Sequence, residues 1–273
     1  MSDQEELPKI YLLPNLMTAG NLFCGFAAIV RILEGALLRD NGLSPISKFH
    51  EAIWLILGAC IFDLLDGRLA RMGGSESEFG REFDSLADIV SFGVAPALLI
   101  YHIVLRDFQQ GWLVAFLYLL CGGMRLARFN CIAAKGGSAD KDFRGFPIPA
   151  AAGVISSVTL SILWLEEGSR ELGNWKYLLL TLMLFLSFMM FSRFKYPSFK
   201  ALNWKTKKSI PRFLVIITLL VFTILNYQWM PAVIFICYLL YGFLRPSLSS
   251  RMRGELEDSE EDDEAEKDST AEA

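Results

Sequence analysis

Residues 63–88 read DLLDGRLARMGGSESEFGREFDSLAD. Asp63, Asp66, Asp84 and Asp88 lie within this stretch, and long apolar runs adjoin it: AIWLILGACIF before and IVSFGVAPALLIYHIVL after. Carboxylates at the ends of segments built for lipid are costly, so their placement calls for a chemical reason.

On a helix, Asp63, Asp66, Gly67 and Ala70 share one face, and Gly80, Asp84 and Asp88 share another. Residues 72–79, with Gly73, Gly74 and Ser75, can turn the chain back so that the two aspartate stripes face each other. Facing carboxylates repel, and divalent cations relieve the repulsion. Mg²⁺ takes oxygen ligands and shares them with substrate phosphates, while the small residues leave room for a bulky ligand. A nucleotide diphosphate held by metal fits that space. The competing reading makes these aspartates loop charges paired with Arg68, Arg71 and Arg81. The ordered set D-x₂-D-G-x₂-A-R-x₈-G-x₃-D-x₃-D argues against it.

Outward from this stretch the chain is strongly apolar. Of its 273 residues 53% are hydrophobic, and the mean hydropathy is +0.38. That composition favours an integral membrane protein. Taking about 20 apolar residues per span, eight spans are expected, near 12–34, 50–71, 84–105, 110–130, 148–165, 175–194, 211–227 and 229–245. The N-terminal MSDQEELPK is acidic and lacks the basic start of a signal peptide. The five cysteines show no metal-type spacing and read as packing residues. Residues 254–273 carry a net −10 against −4 for the whole chain, so residues 1–253 carry +6. This acidic tail has no apolar face to bury and is expected to be disordered.

Basic residues are unevenly shared between alternate loops. One set holds Arg68, Arg71 and Arg81, then Lys135, Lys141 and Arg144, then the basic run from Arg193 to Arg212; the other holds Arg39, Lys48, Arg106, Arg170 and Lys176. The asymmetry places both termini and the aspartate loop on the cytoplasmic side of the membrane. The KYPSFKALNWKTKK run reads as a membrane-surface loop, not a nucleic-acid site. His50 and His102 fall on the opposite side and receive no role. The expected organisation is an N-terminal segment 1–11, a transmembrane catalytic domain 12–247 and the acidic tail 248–273.

The aspartate pattern resembles the signature of the CDP-alcohol phosphotransferases, matched by Asp63, Asp66, Gly67, Ala70, Arg71, Gly80, Asp84 and Asp88. The resemblance implies an all-α, six-helix membrane core, often dimeric, with a polar cavity open to the cytoplasm. Here two C-terminal helices would follow the core. It implies that the first three aspartates bind divalent metal, Mg²⁺ or Mn²⁺ and two ions, and that Asp88 is the general base and also touches metal. It places Gly67, Ala70, Arg71 and Gly80 beside the CDP-lipid.

LPNLMTAGNLFCGFAAI (13–29), GGMRLARFN (122–130), FRGFPIPAAAG (143–153) and SRFKYPSFK (192–200) narrow the likeness. Together they are similar to the integral-membrane phosphatidylserine synthases of bacteria and archaea, over about residues 10–245. CDP-diacylglycerol and L-serine are then the expected substrates, with a homodimer in the inner membrane. The departures are the acidic tail and Phe146, where leucine is expected. Asn15 and Thr18, three apart, either hydrogen-bond a cytidine or phosphate or cap the helix after Pro14. Arg125 and Arg128, also three apart, either receive the carboxylate of an amino-acid acceptor or anchor the span. Glycerol 3-phosphate or inositol phosphate acceptors and an archaeal ether-lipid donor are alternatives within the same chemistry. A cation transporter is the alternative from another class, though its carboxylates belong nearer the bilayer midplane.

Overall fold

The computed structural model describes residues 12–73, 78–134, 142–165, 174–192, 195–197 and 222–244. The N-terminal segment 1–11, the tail 248–273 and most of the basic loop after residue 197 lie outside the described residues. So does most of the expected seventh span, of which the final helical residues 222–225 are described.

The chain is an all-α polytopic membrane protein. Helix α1, Leu12–Asp40, begins with Pro14 in its first turn, where the missing N–H costs nothing. It stops where Gly42 takes a left-handed φ of +74°, and Pro45 precedes α2, Ile46–Gly73. Helix α3, Glu78–Asp88, runs without a break through a π-helical segment, Ile89–Val94, into α4, Ala95–Ile103. Further helices among the described residues are α5, Gly111–Ala134, α6, Ile148–Leu165, α7, Trp175–Phe191, and α8, Met230–Leu244. Among the described residues, four helical stretches are long and apolar enough to cross a membrane: 15–40, 78–103, 111–132 and 148–165. The charges that α2 carries around its aspartates make it more polar than these.

The main antiparallel pair is α1 with α2, and α3–α4 packs along α1. Helix α6 fills the groove beside α2 and α8, while α5 is held between α4 and α7. The buried interior is mostly small and aliphatic side chains, among them Ala28, Ala52, Ala59, Ala151 and Ala152 at 0% exposure. Small residues let backbones approach, which drives helix association where lipid is as apolar as the core. The outer surface carries Phe23, Phe26, Leu37, Ile61 and Leu64, all exposed as lipid-facing groups should be.

A short antiparallel ribbon joins two loops at the aspartate end. Strand β1, Asp142–Arg144, pairs with β2, Lys195–Pro197, with Phe143 opposite Tyr196. Gly145 follows at φ +86°, and a Cβ there would lie 2.6 Å from the Met190 carbonyl oxygen, so only glycine fits. Phe146, the unexpected aromatic, is fully buried with its ring 5.8 Å from that of Tyr238. It fills the junction between the ribbon and α8.

The two ends of the bundle differ chemically. Trp112, Trp164, Trp175 and Trp229 sit exposed at helix ends opposite the aspartates, as an interfacial aromatic belt does. At that same end Arg39 Nη1 donates to the His102 carbonyl at 2.7 Å, and Arg106 Nη1 to Asp40 Oδ1 at 2.7 Å. The hydrogen bond and charge of Asp40 hold the Arg106 guanidinium above its ordinary pKa. Arg31 and Lys48 each meet Glu34 and Glu51 within 3.4 Å, tying α1 to α2.

Candidate active site

Five helices deliver the polar residues of the other end. The first turns of α1 carry Asn15, Thr18 and Asn21, and the last turns of α2 carry Asp63, Asp66 and Gly67. The start of α3 brings Gly80, Asp84 and Asp88, and the end of α5 brings Arg125. Tyr238 reaches in from α8.

Asp63, Asp66 and Asp84 each offer a carboxylate oxygen, and these oxygens lie within 4.8 Å of one another. The two stripes expected from spacing do face each other across the α2–α3 turn. Asp66 is buried, Asp63 and Asp84 are partly so, and Oδ1 of Asp84 is buried with no hydrogen-bond partner. Three converging carboxylates and an unpartnered buried oxygen are what an oxygen-loving divalent cation requires, so the residues fit one. Arg81 turns toward Glu82, 3.6 Å away.

Helix α1 braces this set. Thr18 Oγ1 donates to Asp66 Oδ2 at 2.8 Å, and Asn21 Nδ2 donates to Asp88 Oδ1 at 3.0 Å, both among buried groups. Asp88 stands within electrostatic reach of Asp63, Asp84 and Asp66. Just beyond it the π-helical segment is anchored twice. Ser91 Oγ donates to the Asn21 carbonyl at 2.9 Å, and the fully buried Tyr118 hydroxyl donates to the Phe92 carbonyl at 3.1 Å. An extra residue per turn directly after Asp88 re-aims that end of the helix, which is how such segments commonly serve functional sites.

Arg125 points inward, within electrostatic reach of Asp88 and Asp63 and close to Tyr238, and its Nε is buried with no hydrogen-bond partner. Arg128, one turn on, is exposed. Asn15 is half-buried with its Nδ2 unpartnered, which leaves a donor for a ligand. Ala70 and Arg71 belong to the last turn of α2, and their side chains lie outside the described residues. Asn21, Ser91 and Tyr118 were not expected from sequence. Only Asn21 carried a signal, standing three residues after Thr18 as Thr18 stands three after Asn15.

On the other face of α3, Asn130 Nδ2 donates to Ser85 Oγ at 2.9 Å and to Glu82 Oε2 at 3.3 Å. These bonds clip α5 to α3 and fix the side from which Arg125 enters.

This polytopic fold, with carboxylates from two adjacent helices converging at one end, defines a membrane enzyme class. The chain belongs to the CDP-alcohol phosphatidyltransferase family, whose sequence profile matches residues 11–189. It is 35% identical over 237 residues to a CDP-diacylglycerol–serine O-phosphatidyltransferase of Helicobacter pylori, a match covering 86% of this chain and 91% of that protein. It is 35% identical over 191 residues to the enzyme of the same name from Bacillus subtilis, covering 69% and 91%. An archaetidylserine synthase of Methanothermobacter thermautotrophicus is 34% identical over 199 residues, covering 72% and 74%.

Proposed function

We propose that this protein transfers the phosphatidyl group of CDP-diacylglycerol to the hydroxyl of L-serine, giving phosphatidylserine and CMP. The observation that carries the reading is the convergence of Asp63, Asp66 and Asp84 within 4.8 Å. It occurs in a chain that aligns with serine phosphatidyltransferases over most of its length.

Asp63, Asp66 and Asp84, with Asp88 beside them, would hold Mg²⁺ or Mn²⁺, as one or two ions. A bound cation of this kind supplies charge neutralisation at the pyrophosphate oxygens. The chain's own groups do the rest. Asn15 Nδ2 offers a hydrogen bond to the nucleotide or its phosphate, and Gly67 and Gly80 leave the space in which it lies. Asp88, held by Asn21, takes the proton of the serine hydroxyl. The serine oxygen forms its bond to the phosphorus that bears the lipid. The bond from that phosphorus to the bridging oxygen breaks, and CMP leaves with the electron pair. Arg125 receives the serine carboxylate. Arg128, exposed to the surface, serves as an anchor and is not part of the serine pocket. Cys60 lies within electrostatic reach of Asp63 and Asp88, but its thiol is buried and donates to the Pro149 carbonyl at 3.5 Å, so it is not presented to a substrate as a nucleophile, and direct displacement is the simplest route.

The protein acts as a homodimer in the inner membrane, with both termini and the aspartate end facing the cytoplasm. The basic loops around the aspartates support that orientation. The test is CMP release by purified protein given cation, CDP-diacylglycerol and one acceptor at a time. Release with L-serine and not with glycerol 3-phosphate or inositol phosphate is expected. Release with one of those acceptors alone would refute the serine assignment.

A further inference from the structure

Asn21 is completely buried, yet it satisfies only half of its amide. A carboxylate only accepts hydrogen bonds, so the amide turns its Nδ2 to Asp88 and its carbonyl away. That carbonyl oxygen, Oδ1, is buried with no donor. Buried acceptors are seldom left so, because the lost hydration is not returned. Across Asp88, from α5, Arg125 presents the opposite deficiency: Nε is a buried donor with no acceptor. An orphan acceptor and an orphan donor thus flank one carboxylate, each delivered by a different helix.

From this juxtaposition we infer that Asn21 Oδ1 receives the ammonium group of the amino-acid acceptor, making Asn21 a specificity-determining residue. The inference rests on the serine reading and deepens it. L-serine carries three polar groups: a hydroxyl on the side chain, and an ammonium and a carboxylate on Cα. They diverge from one centre. Asp88, Asn21 and Arg125 offer a matching set of proton acceptor, carbonyl acceptor and cationic donor. The ammonium brings three donors and no acceptor, and it suits a neutral carbonyl where the nearby carboxylates are turned to a metal. Three partners on three helices also distinguish a chiral centre, so L-serine is preferred to D-serine. An acceptor that presents phosphate in place of ammonium leaves Oδ1 unpaired or repelled, which is discrimination by a polar group left without its partner.

The test compares L-serine with 3-hydroxypropionate, which keeps the hydroxyl and carboxylate and lacks the ammonium. CMP release by full-length protein gives kcat/KM for serine, and competition against serine gives the binding of 3-hydroxypropionate. The wild type should hold 3-hydroxypropionate roughly 10-fold or more weaker than serine. Equal binding of the two overturns the proposal. Asn21→Leu should raise KM for serine, read separately from kcat, roughly 10- to 100-fold while leaving 3-hydroxypropionate competition within about 3-fold. A fall in kcat with KM for serine unchanged would mean that Asn21 only positions Asp88, and no change in either would mean that it does neither. Should Asn21→Leu fail to fold, Asn21→Asp keeps an acceptor for the ammonium and loses the donor to Asp88. It should retain the preference for serine while kcat falls, and loss of that preference overturns the assignment. A wild type inert with serine would instead refute the serine reading itself.

Discussion

The contact between Gly25 and Ser91 lets a small change be carried through to its consequence. A Cβ at residue 25 would lie 2.7 Å from Ser91 Cα, which is backbone and cannot swing aside. Ordinary carbon–carbon contact is about 3.5–4.0 Å, so Gly25→Ala must push the π-helical segment off α1 by about 1 Å. Alanine gains up to about 1 kcal/mol over glycine in helix propensity, against about 1–3 kcal/mol for overpacking, so net destabilisation is modest. The larger effect falls on the site. Ser91 lies one turn beyond Asp88, and its hydroxyl reaches the carbonyl of Asn21, the residue that holds Asp88. A shift of about 1 Å in a reacting group costs on the order of 100-fold in rate. Gly25→Ala should therefore lower kcat for CMP release about 100-fold with CDP-diacylglycerol binding little changed. Ser91→Ala should not restore it, because the obstructing Cα remains. Gly25→Ala activity within about 2-fold of wild type would refute the reasoning.

Other substitutions bear on the cation and the base. Neutralising one member of the triad, as in Asp84→Asn, removes repulsion among oxygens now within 4.8 Å. The chelated protein should then melt no lower than wild type, while losing the stabilisation that added Mn²⁺ gives wild type; thermal denaturation with and without chelator reads both. Thr18→Val removes the 2.8 Å hydrogen bond to Asp66 and keeps the shape. It should raise the Mn²⁺ concentration needed for half-maximal activity several-fold, read by titrating the cation against CMP release. Asp88→Asn should abolish turnover and retain CDP-diacylglycerol binding, checked by a binding assay beside the activity assay.

The aspartates were legible because helical spacing is rigid: residues three, four and seven apart must share a face, and a short Gly-rich turn must bring the two faces together. Phe146 could be flagged but not explained, since its partner Tyr238 comes from a helix far along the chain. Arg125 and Arg128 looked equivalent because they are three apart, yet such positions differ by about 60° around the axis. That angle separates the inward Arg125 from the exposed Arg128. The π-helical segment left no trace, because IVSFGV is simply apolar and its register is set by Ser91 and Tyr118 bonding to other helices. The β1–β2 ribbon pairs two three-residue stretches distant in sequence, too short for alternation to show. Asn21 was passed over because one amide in an apolar helix reads as capping or packing until its partner, Asp88, is known.

The most direct measurement follows labelled L-serine into lipid. Purified protein receives CDP-diacylglycerol, Mn²⁺ and labelled L-serine, and both labelled phospholipid and CMP are counted. The account predicts one CMP for each phosphatidylserine, dependent on cation and absent in Asp84→Asn. CMP released without labelled lipid, or labelled lipid formed equally well by Asp84→Asn, would contradict it.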